Sequence, residues 1–176
     1  MNIVLLGYRG SGKSTLGKML ADELWKEFID TDQAVCKKLG LDSVARIWSE
    51  LGEPAFREAE AQVVQEAVRK KDHVIALGGG SLMREDTRLA VKQAPDTQRI
   101  YLRCEPTVLA QRLASDPGTA AQRPALTAHA GGLQEIQAVL AQREPHYRET
   151  ADQEFDVTHL GLDNLLRYFI KYCMKA

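Results

Sequence analysis

The 176-residue sequence has few of the features that mark several protein classes. Its three cysteines, at 36, 104 and 173, are scattered and odd in number, so we expect neither a disulfide framework nor a zinc site but reduced thiols in a cytoplasmic protein. No apolar run approaches the ~20 residues of a membrane span. The net charge of -1 gives no electrostatic case for nucleic acid. We therefore expect no nucleic-acid or membrane partner, and we expect a monomer.

One glycine-containing segment carries the strongest signal. Residues 7–15, G-Y-R-G-S-G-K-S-T, fit the phosphate-loop pattern G-x-x-x-x-G-K-[ST] between an apolar run and a stretch with helical periodicity. Glycines let backbone N–H groups point at phosphate oxygens, and the helix N-terminus adds a favourable potential. Lys13 can reach the outer phosphates, and Ser14 can offer a hydroxyl to Mg²⁺. The alternative interpretation of residues 7–15 is a glycine- and serine-containing turn that merely includes a lysine. Because a strand precedes the segment and a helix follows it, we favour binding of a nucleoside triphosphate.

Strand-like and helical segments alternate along the chain. Continuous apolar runs at 3–6 and 74–77 predict buried strands, and we also predict strands at 28–32, 99–104 and 154–158. We predict helices at 13–25, 33–39, 43–51, 53–70, 84–93, 106–113 and 133–150, with a last one from about 162. An apolar stripe at spacings of three and four is the signal at 53–70, and one apolar face is the signal in the last helix. This alternation is typical of an α/β domain whose parallel sheet is covered on both faces. Residues 115–132 change in composition, and we interpret them as a mobile flap.

Two acidic residues follow the second predicted strand. Asp30 and Asp32 are two apart, so in an extended segment both side chains would point to one side, towards the ligand crevice at the carboxyl edge of the sheet. One acid could then steady Mg²⁺ through water, and the other could deprotonate an attacking hydroxyl. The alternative is an acidic turn in which Asp32 caps the next helix.

Glycines and arginines complete the candidate set. Gly78-Gly79-Gly80 follows a strand and indicates close backbone approach or positive φ, with N–H groups available to a substrate oxygen; a plain sharp turn is the alternative. Arg57 and Arg143 could grip a carboxylate if they converge, which spacing alone does not show. Arg123, in the flap, could neutralise transition-state charge or simply be solvated.

Taken in order, these segments resemble the shikimate kinase family. The resemblance rests on the phosphate loop, Asp30-Thr31-Asp32, Gly52 to Arg57, the triple glycine, Arg123-Pro124 and Arg143 to Tyr147, and it runs from about 2 to 158. It implies a single domain over 1–176 with a nucleoside-monophosphate-kinase-like P-loop fold. That fold has a five-stranded parallel sheet of order 2-3-1-4-5, a substrate-binding helical region at about 32–62 and a lid at about 113–130.

The resemblance also implies roles for residues. Asp32 becomes the catalytic base, with Lys13 and Arg123 offsetting charge on the transferred group, while Ser14 and Asp30 serve Mg²⁺. The nucleotide is expected on Gly10, Ser11, Gly12, Lys13, Ser14, Thr15, Arg112 and Arg123. The substrate is expected on Asp32, Arg57, Gly78, Gly79, Gly80 and Arg143. Two small departures, Ala125 in the flap and Leu77 before the triple glycine, leave the charged residues intact.

The expected activity is therefore ATP-dependent, Mg²⁺-assisted phosphorylation of the 3-hydroxyl of shikimate in aromatic amino-acid biosynthesis. Two alternatives stay open at this point. A gluconate kinase or another small-metabolite kinase shares the phosphate loop and the lid but does not need paired arginines at 57 and 143. A nucleotide-binding regulatory module without phosphotransfer is the other, although intact Lys13, Asp32 and Arg123 argue against it.

Overall fold

The computed structural model describes residues 1–116 and 132–173, apart from the side chains of residues 162 and 163. A five-stranded sheet forms its centre. The strands are β1 (Asn2–Leu6), β2 (Glu27–Asp30), β3 (His73–Ala76), β4 (Thr97–Arg103) and β5 (Gln153–Asp156). They pair in the order β2-β3-β1-β4-β5, and every pair is parallel. The predicted sheet and its strand order are therefore confirmed.

Eight helices of the described chain flank this sheet. They are α1 (Lys13–Glu23), α2 (Thr31–Leu39), α3 (Val44–Glu50), α4 (Glu53–Val68), α5 (Glu85–Gln93), α6 (Pro106–Ser115), α7 (Leu133–Thr150) and α8 (Leu162–Cys173). A single 3₁₀ turn covers Ser81–Met83. Helix α1 packs against α8, whereas α5 packs between α4 and α7. No helix in the described ranges is long and apolar enough to cross a bilayer.

The continuous apolar sequence of β1 explains its central position. Its residues are between 0% and 3% exposed, because β3 and β4 pair with its two edges and helices cover its faces. The carboxyl ends of parallel strands meet at one edge of the sheet. There β1 runs into the phosphate loop, β2 into α2, and β3 into the triple glycine. The three candidate segments are therefore brought to one edge by the strand order.

A second, smaller apolar cluster joins α2, α3 and α4. Its buried members are Val35, Ile47, Phe56, Ala59 and Val63. It ties these three helices together over most of the stretch predicted to bind substrate, at 32–62. The predicted lid lies mostly outside the described residues, so the proposed division into one domain with a lid stays a prediction.

The end of β2 differs from the prediction. The strand ends at Asp30, and Thr31 and Asp32 already belong to the first turn of α2. The Asp30 carboxylate accepts hydrogen bonds from the N–H groups of Asp32 and Gln33, at 3.0 and 3.2 Å, and so caps the helix. The extended arrangement of the two acids is therefore wrong, and the cap is Asp30 rather than Asp32.

Candidate active site

The phosphate loop joins β1 to α1 in a conformation that needs glycine. Gly7, Gly10 and Gly12 have φ values of 143°, 80° and 94°, a region in which side chains are strained. A Cβ on Gly7 would also lie 2.7 Å from the carbonyl oxygen of Leu102. Helix α1 begins immediately afterwards, at Lys13, so its first N–H groups and the positive end of its dipole face the loop. This local geometry suits a polyphosphate.

Lys13 lies within this loop and is only 8% exposed. Its Nζ donates hydrogen bonds to the carbonyl oxygens of Gly7 and Tyr8, each at 2.8 Å. These contacts hold a positive charge beside the N-terminus of α1. The ammonium group is thus placed where the loop would receive anionic oxygens.

Ser14 and Asp30 form a pair of oxygen ligands beside the loop. The Ser14 hydroxyl donates to Asp30 Oδ2 at 2.6 Å, while Oδ1 of the same carboxylate caps α2. A hydroxyl and a carboxylate are hard donors, and Mg²⁺ prefers such oxygens and completes its shell with water and phosphate. The donors present at this position therefore fit a magnesium ion.

A cavity of about 460 Å³ extends along the loop. Residues 9–16 line it, together with Asp30 and Asp32. Further lining residues come from the end of α6 and from the segment around the start of α8, namely Arg112, Leu113, Asp116, Leu160, Gly161 and Leu165. Arg112 donates hydrogen bonds to the carbonyl oxygens of Val157 and Thr158, which ties α6 to the segment after β5. A cavity lined by the phosphate loop, by charged groups and by leucines suits a nucleotide.

A second, smaller cavity opens beside the first. Its charged and glycine lining comprises Arg9, Asp32, Arg57, Glu60, Gly79, Gly80 and Arg143, and its apolar wall comprises Val44, Trp48 and Phe56. Arg57 comes from α4 and Arg143 from α7, so the structure does bring the two predicted arginines to one cavity. We call it the acceptor cavity, and we call the larger one the nucleotide cavity.

Arg57 is held in place by its neighbours. Its guanidinium donates to Glu60 at 2.8 Å and to Glu53 at 3.1 Å, and it lies 5.6 Å from the centre of the Trp48 ring. Glu60 is only 2% exposed and also accepts a hydrogen bond from the Ser81 hydroxyl at 2.7 Å. Burial raises the pKa of Glu60, and the charge of Arg57 opposes that rise. The arginine is therefore fixed by a buried carboxylate on its own helix.

The triple glycine owes its composition to close packing. None of the three glycines has a positive φ, so of the two predicted reasons close approach is the right one. A Cβ on Gly78 would lie 2.3 Å from Asp32 Oδ1, and one on Gly80 would lie 2.6 Å from an Arg57 nitrogen. The Gly78 N–H donates to the Thr31 hydroxyl at 2.8 Å and is thus used inside the protein. Gly79 and Gly80 are the two that line the acceptor cavity.

Asp32 and Arg9 lie where the cavities meet, since each lines both of them. Asp32 is thus placed between the phosphate loop and the arginine pair. Arg9 donates to Glu135 at 2.7 Å, and the Glu135 carboxylate is fully buried at the start of α7. This contact joins the phosphate loop to the helix that carries Arg143.

Several site residues were not predicted from the sequence. Arg9 occupies a position that the phosphate-loop pattern leaves unspecified, Glu60 acts through the Arg57 side chain, and Thr31 acts through the Gly78 backbone. The three-residue spacing of Glu60 from Arg57 on a helix was the one available signal. Arg123 lies outside the described residues, so its predicted role stays a prediction.

The fold and these two adjoining cavities define a kinase of the P-loop class, with a phosphate loop facing a separate acceptor site. The family model described as shikimate kinase matches residues 9–173. The chain therefore belongs to the shikimate kinase family. It is 40% identical over 170 residues to a protein of Rhodopirellula baltica named shikimate kinase, which covers 97% of this chain and 89% of that one.

Solved structures agree with this assignment. The shikimate kinase of Acinetobacter baumannii, solved in complex with shikimate, superimposes with a TM-score of 0.87 at 28% identity, over 99% of this chain and 93% of that one. A gluconokinase from Sinorhizobium meliloti superimposes with a TM-score of 0.57 at 19% identity, over 94% and 87% of the chains. At that identity the second likeness shows a shared fold alone. The gluconate kinase alternative is therefore not favoured.

Proposed function

We propose that the protein transfers the γ-phosphoryl group of ATP to the 3-hydroxyl of shikimate, giving shikimate 3-phosphate and ADP in aromatic amino-acid biosynthesis. One observation carries the proposal. A cavity that contains guanidinium groups from two helices adjoins the phosphate-loop cavity, and Asp32 lies at the junction. Family membership and the shikimate complex of a relative support this choice of acceptor.

The nucleotide side follows from the loop. Gly10, Ser11, Gly12 and Thr15 surround the phosphates, and Lys13 places its charge on the outer ones. Ser14 and Asp30 would hold Mg²⁺, and the ion would supply positive charge that offsets the charge of the outer phosphates. Arg112, which lines the far wall, contacts the nucleoside end. Arg123 adds positive charge to the transferred group and closes the site with the lid.

The acceptor side follows from the second cavity. The forks of Arg57 and Arg143 bind the shikimate carboxylate, which is remote from the reacting hydroxyl. Gly79 and Gly80 allow the substrate to approach the backbone, and Trp48 packs against its carbon ring. A carboxylate ligand is therefore gripped at one end of the cavity, and its hydroxyls lie towards the phosphate loop.

Asp32 performs the proton transfer. Its carboxylate accepts a hydrogen bond from the 3-hydroxyl and orients that oxygen towards the γ-phosphorus. As the new O–P bond forms, the bond from the γ-phosphorus to the bridging oxygen breaks and ADP leaves. The hydroxyl proton goes to Asp32. Its position between the two cavities supports this role, because the group must contact the acceptor and lie near the phosphates.

A coupled ADP-release assay tests the function. Purified protein, ATP and Mg²⁺ are assayed with shikimate, with gluconate and with no acceptor. We expect ADP release that depends on shikimate. ADP release that depends on gluconate would identify a gluconate kinase instead. ATP binding without phosphoryl transfer to any acceptor would identify a nucleotide-binding regulatory module. A cytoplasmic location and a monomeric state are also proposed, and cell fractionation and light scattering measure them.

Two arginines of α7 offer a matched pair for the acceptor site. Arg143 lines the acceptor cavity, whereas Arg148 is half-exposed and pairs with Glu144 and Glu154. We expect Arg143→Ala to raise the KM for shikimate and leave the KM for ATP nearly unchanged, because it binds a part of the substrate remote from the reaction. Arg148→Ala should change neither. A change confined to the KM for ATP would place α7 on the nucleotide side.

A further inference from the structure

Tyr147 is a buried polar group that the proposed reaction does not use. It lies on α7 four residues after Arg143, a spacing that puts both side chains on one face of the helix. The residue is 2% exposed, and its hydroxyl donates a hydrogen bond to the carbonyl oxygen of Gly79. The contact joins α7 to the triple glycine across 68 residues of sequence. Tyr147 thus contacts Gly79, which lines the acceptor cavity, although Tyr147 itself does not line it.

The same hydroxyl also interacts with Arg143. Burial raises the pKa of Tyr147, and the positive charge of the nearby Arg143 guanidinium opposes this rise. Gly79 and Arg143 are themselves close, since a Cβ on Gly79 would lie 3.5 Å from an Arg143 nitrogen. A tyrosine phenol is protonated near neutral pH, because its ordinary pKa is about 10. One hydroxyl can therefore donate to Gly79 and accept from Arg143 at the same time.

We propose that Tyr147 is a positioning residue for the acceptor cavity, and that its hydroxyl fixes the Gly79 backbone and the Arg143 guanidinium relative to each other. The inference rests on the proposed function, since it assigns Gly79 and Arg143 to the acceptor. Gly79 and Arg143 line the acceptor cavity but not the nucleotide cavity. Loss of the hydroxyl should therefore weaken acceptor binding and leave nucleotide binding intact.

Tyr101 provides the control for a purely structural role. Its ring lies 5.2 Å from that of Tyr147, and it is equally buried. Its hydroxyl donates to Glu144 at 2.9 Å, and neither residue lines either cavity. Tyr101→Phe and Tyr147→Phe each remove one hydroxyl from the same aromatic pair. Only the second removal affects a group that borders the acceptor cavity.

The kinetic test compares these two variants with the wild type. We expect Tyr147→Phe to raise the KM for shikimate about tenfold, the size of effect that loss of one buried hydrogen bond produces. The KM for ATP and kcat should stay within about threefold. Tyr101→Phe should leave both KM values unchanged at a similar loss of thermal stability. Equal KM values for shikimate in the two variants would overturn the inference, as would a change confined to ATP.

Hydrogen exchange separates this inference from the proposed function. Tyr147→Phe should speed amide exchange in a peptide that covers residues 77–83, whereas Tyr101→Phe should not. This result does not depend on the identity of the acceptor. Wild-type protein without shikimate-dependent ADP release would refute the proposed function, and unchanged exchange in Tyr147→Phe would refute the positioning role.

Discussion

The substitution Gly80→Ala adds one methyl group to a wall of the acceptor cavity and tests whether Arg57 packs closely against this glycine. A Cβ there would lie 2.6 Å from one guanidinium nitrogen of Arg57 and 3.0 Å from the other. Atoms in ordinary contact lie at 3.4 Å or more. The Arg57 fork would therefore have to recede by about 0.8 Å, because the backbone of the turn cannot yield as easily as a side-chain end.

This displacement acts on a buried ion pair. Arg57 donates to Glu60 at 2.8 Å, and Glu60 is nearly inaccessible to solvent. Weakening a charge-assisted hydrogen bond to a buried carboxylate costs about 1–3 kcal/mol. If shikimate binds the same fork, Gly80→Ala should raise its KM roughly 10- to 100-fold, since 1.4 kcal/mol corresponds to about a factor of ten. The KM for ATP should be unchanged.

Steady-state kinetics with each substrate varied in turn measure this effect. Gly40→Ala is the control, because Gly40 ends α2 with a φ of 71° and a Cβ there would meet nothing within 4 Å. It should destabilise the fold by about 1 kcal/mol without changing either KM. A KM for shikimate that stays at the wild-type value in Gly80→Ala would refute the argument that Arg57 is fixed against this glycine and binds the acceptor.

Four further predictions concern catalysis and stability. Asp32→Asn should lower kcat at least about 100-fold while ATP still binds, because the variant cannot accept the hydroxyl proton; normal turnover would remove Asp32 from the mechanism. Ser14→Ala should raise the Mg²⁺ concentration that gives half-maximal rate, since one oxygen ligand is lost, and an unchanged Mg²⁺ titration would contradict the metal assignment. Arg123→Ala should lower kcat roughly a thousandfold if this arginine offsets transition-state charge, whereas a change in KM alone would assign it to binding. Burial raises the pKa of the Tyr101 and Tyr147 phenols, so the unfolded chain releases these protons first and the free energy of unfolding falls as the pH rises above about 10. Urea unfolding should show a smaller fall when both are changed to Phe, and an equal fall would count against this linkage.

The sequence was sufficient for the nucleotide side of the site because its determinants are local. The phosphate loop needs glycines at set positions followed directly by a helix, and both features can be recognised within residues 3–21. The five strands of the sheet could also be predicted from the sequence, since each is a short run of strand-forming residues between helical segments. The strand order came from the family resemblance and not from the pattern of residues.

The predicted geometry of Asp30 and Asp32 was wrong because two local structures, strand and helix, compete for this segment. Both strand and helix were compatible with residues 28–32, and the boundary was decided by which carboxylate could reach the free N–H groups of α2. Asp30 does so, and as a result Asp32 enters the helix and faces the junction of the cavities. The pattern identified the right two acids but not their geometry.

The acceptor side was decided by tertiary structure. Arg57 and Arg143 are 86 positions apart, and nothing in their spacing shows that α4 and α7 bring them to one cavity. Thr31 and Tyr147 lie within segments of the family resemblance, but like Glu60 they act by holding other groups, and the sequence assigned no role to any of the three. The sequence alone determined that this chain folds around a phosphate loop, because that information lies in neighbouring residues. Only packing of distant helices against the sheet decided which side chains surround the acceptor, because such contacts depend on where each helix lies and not on what precedes or follows it.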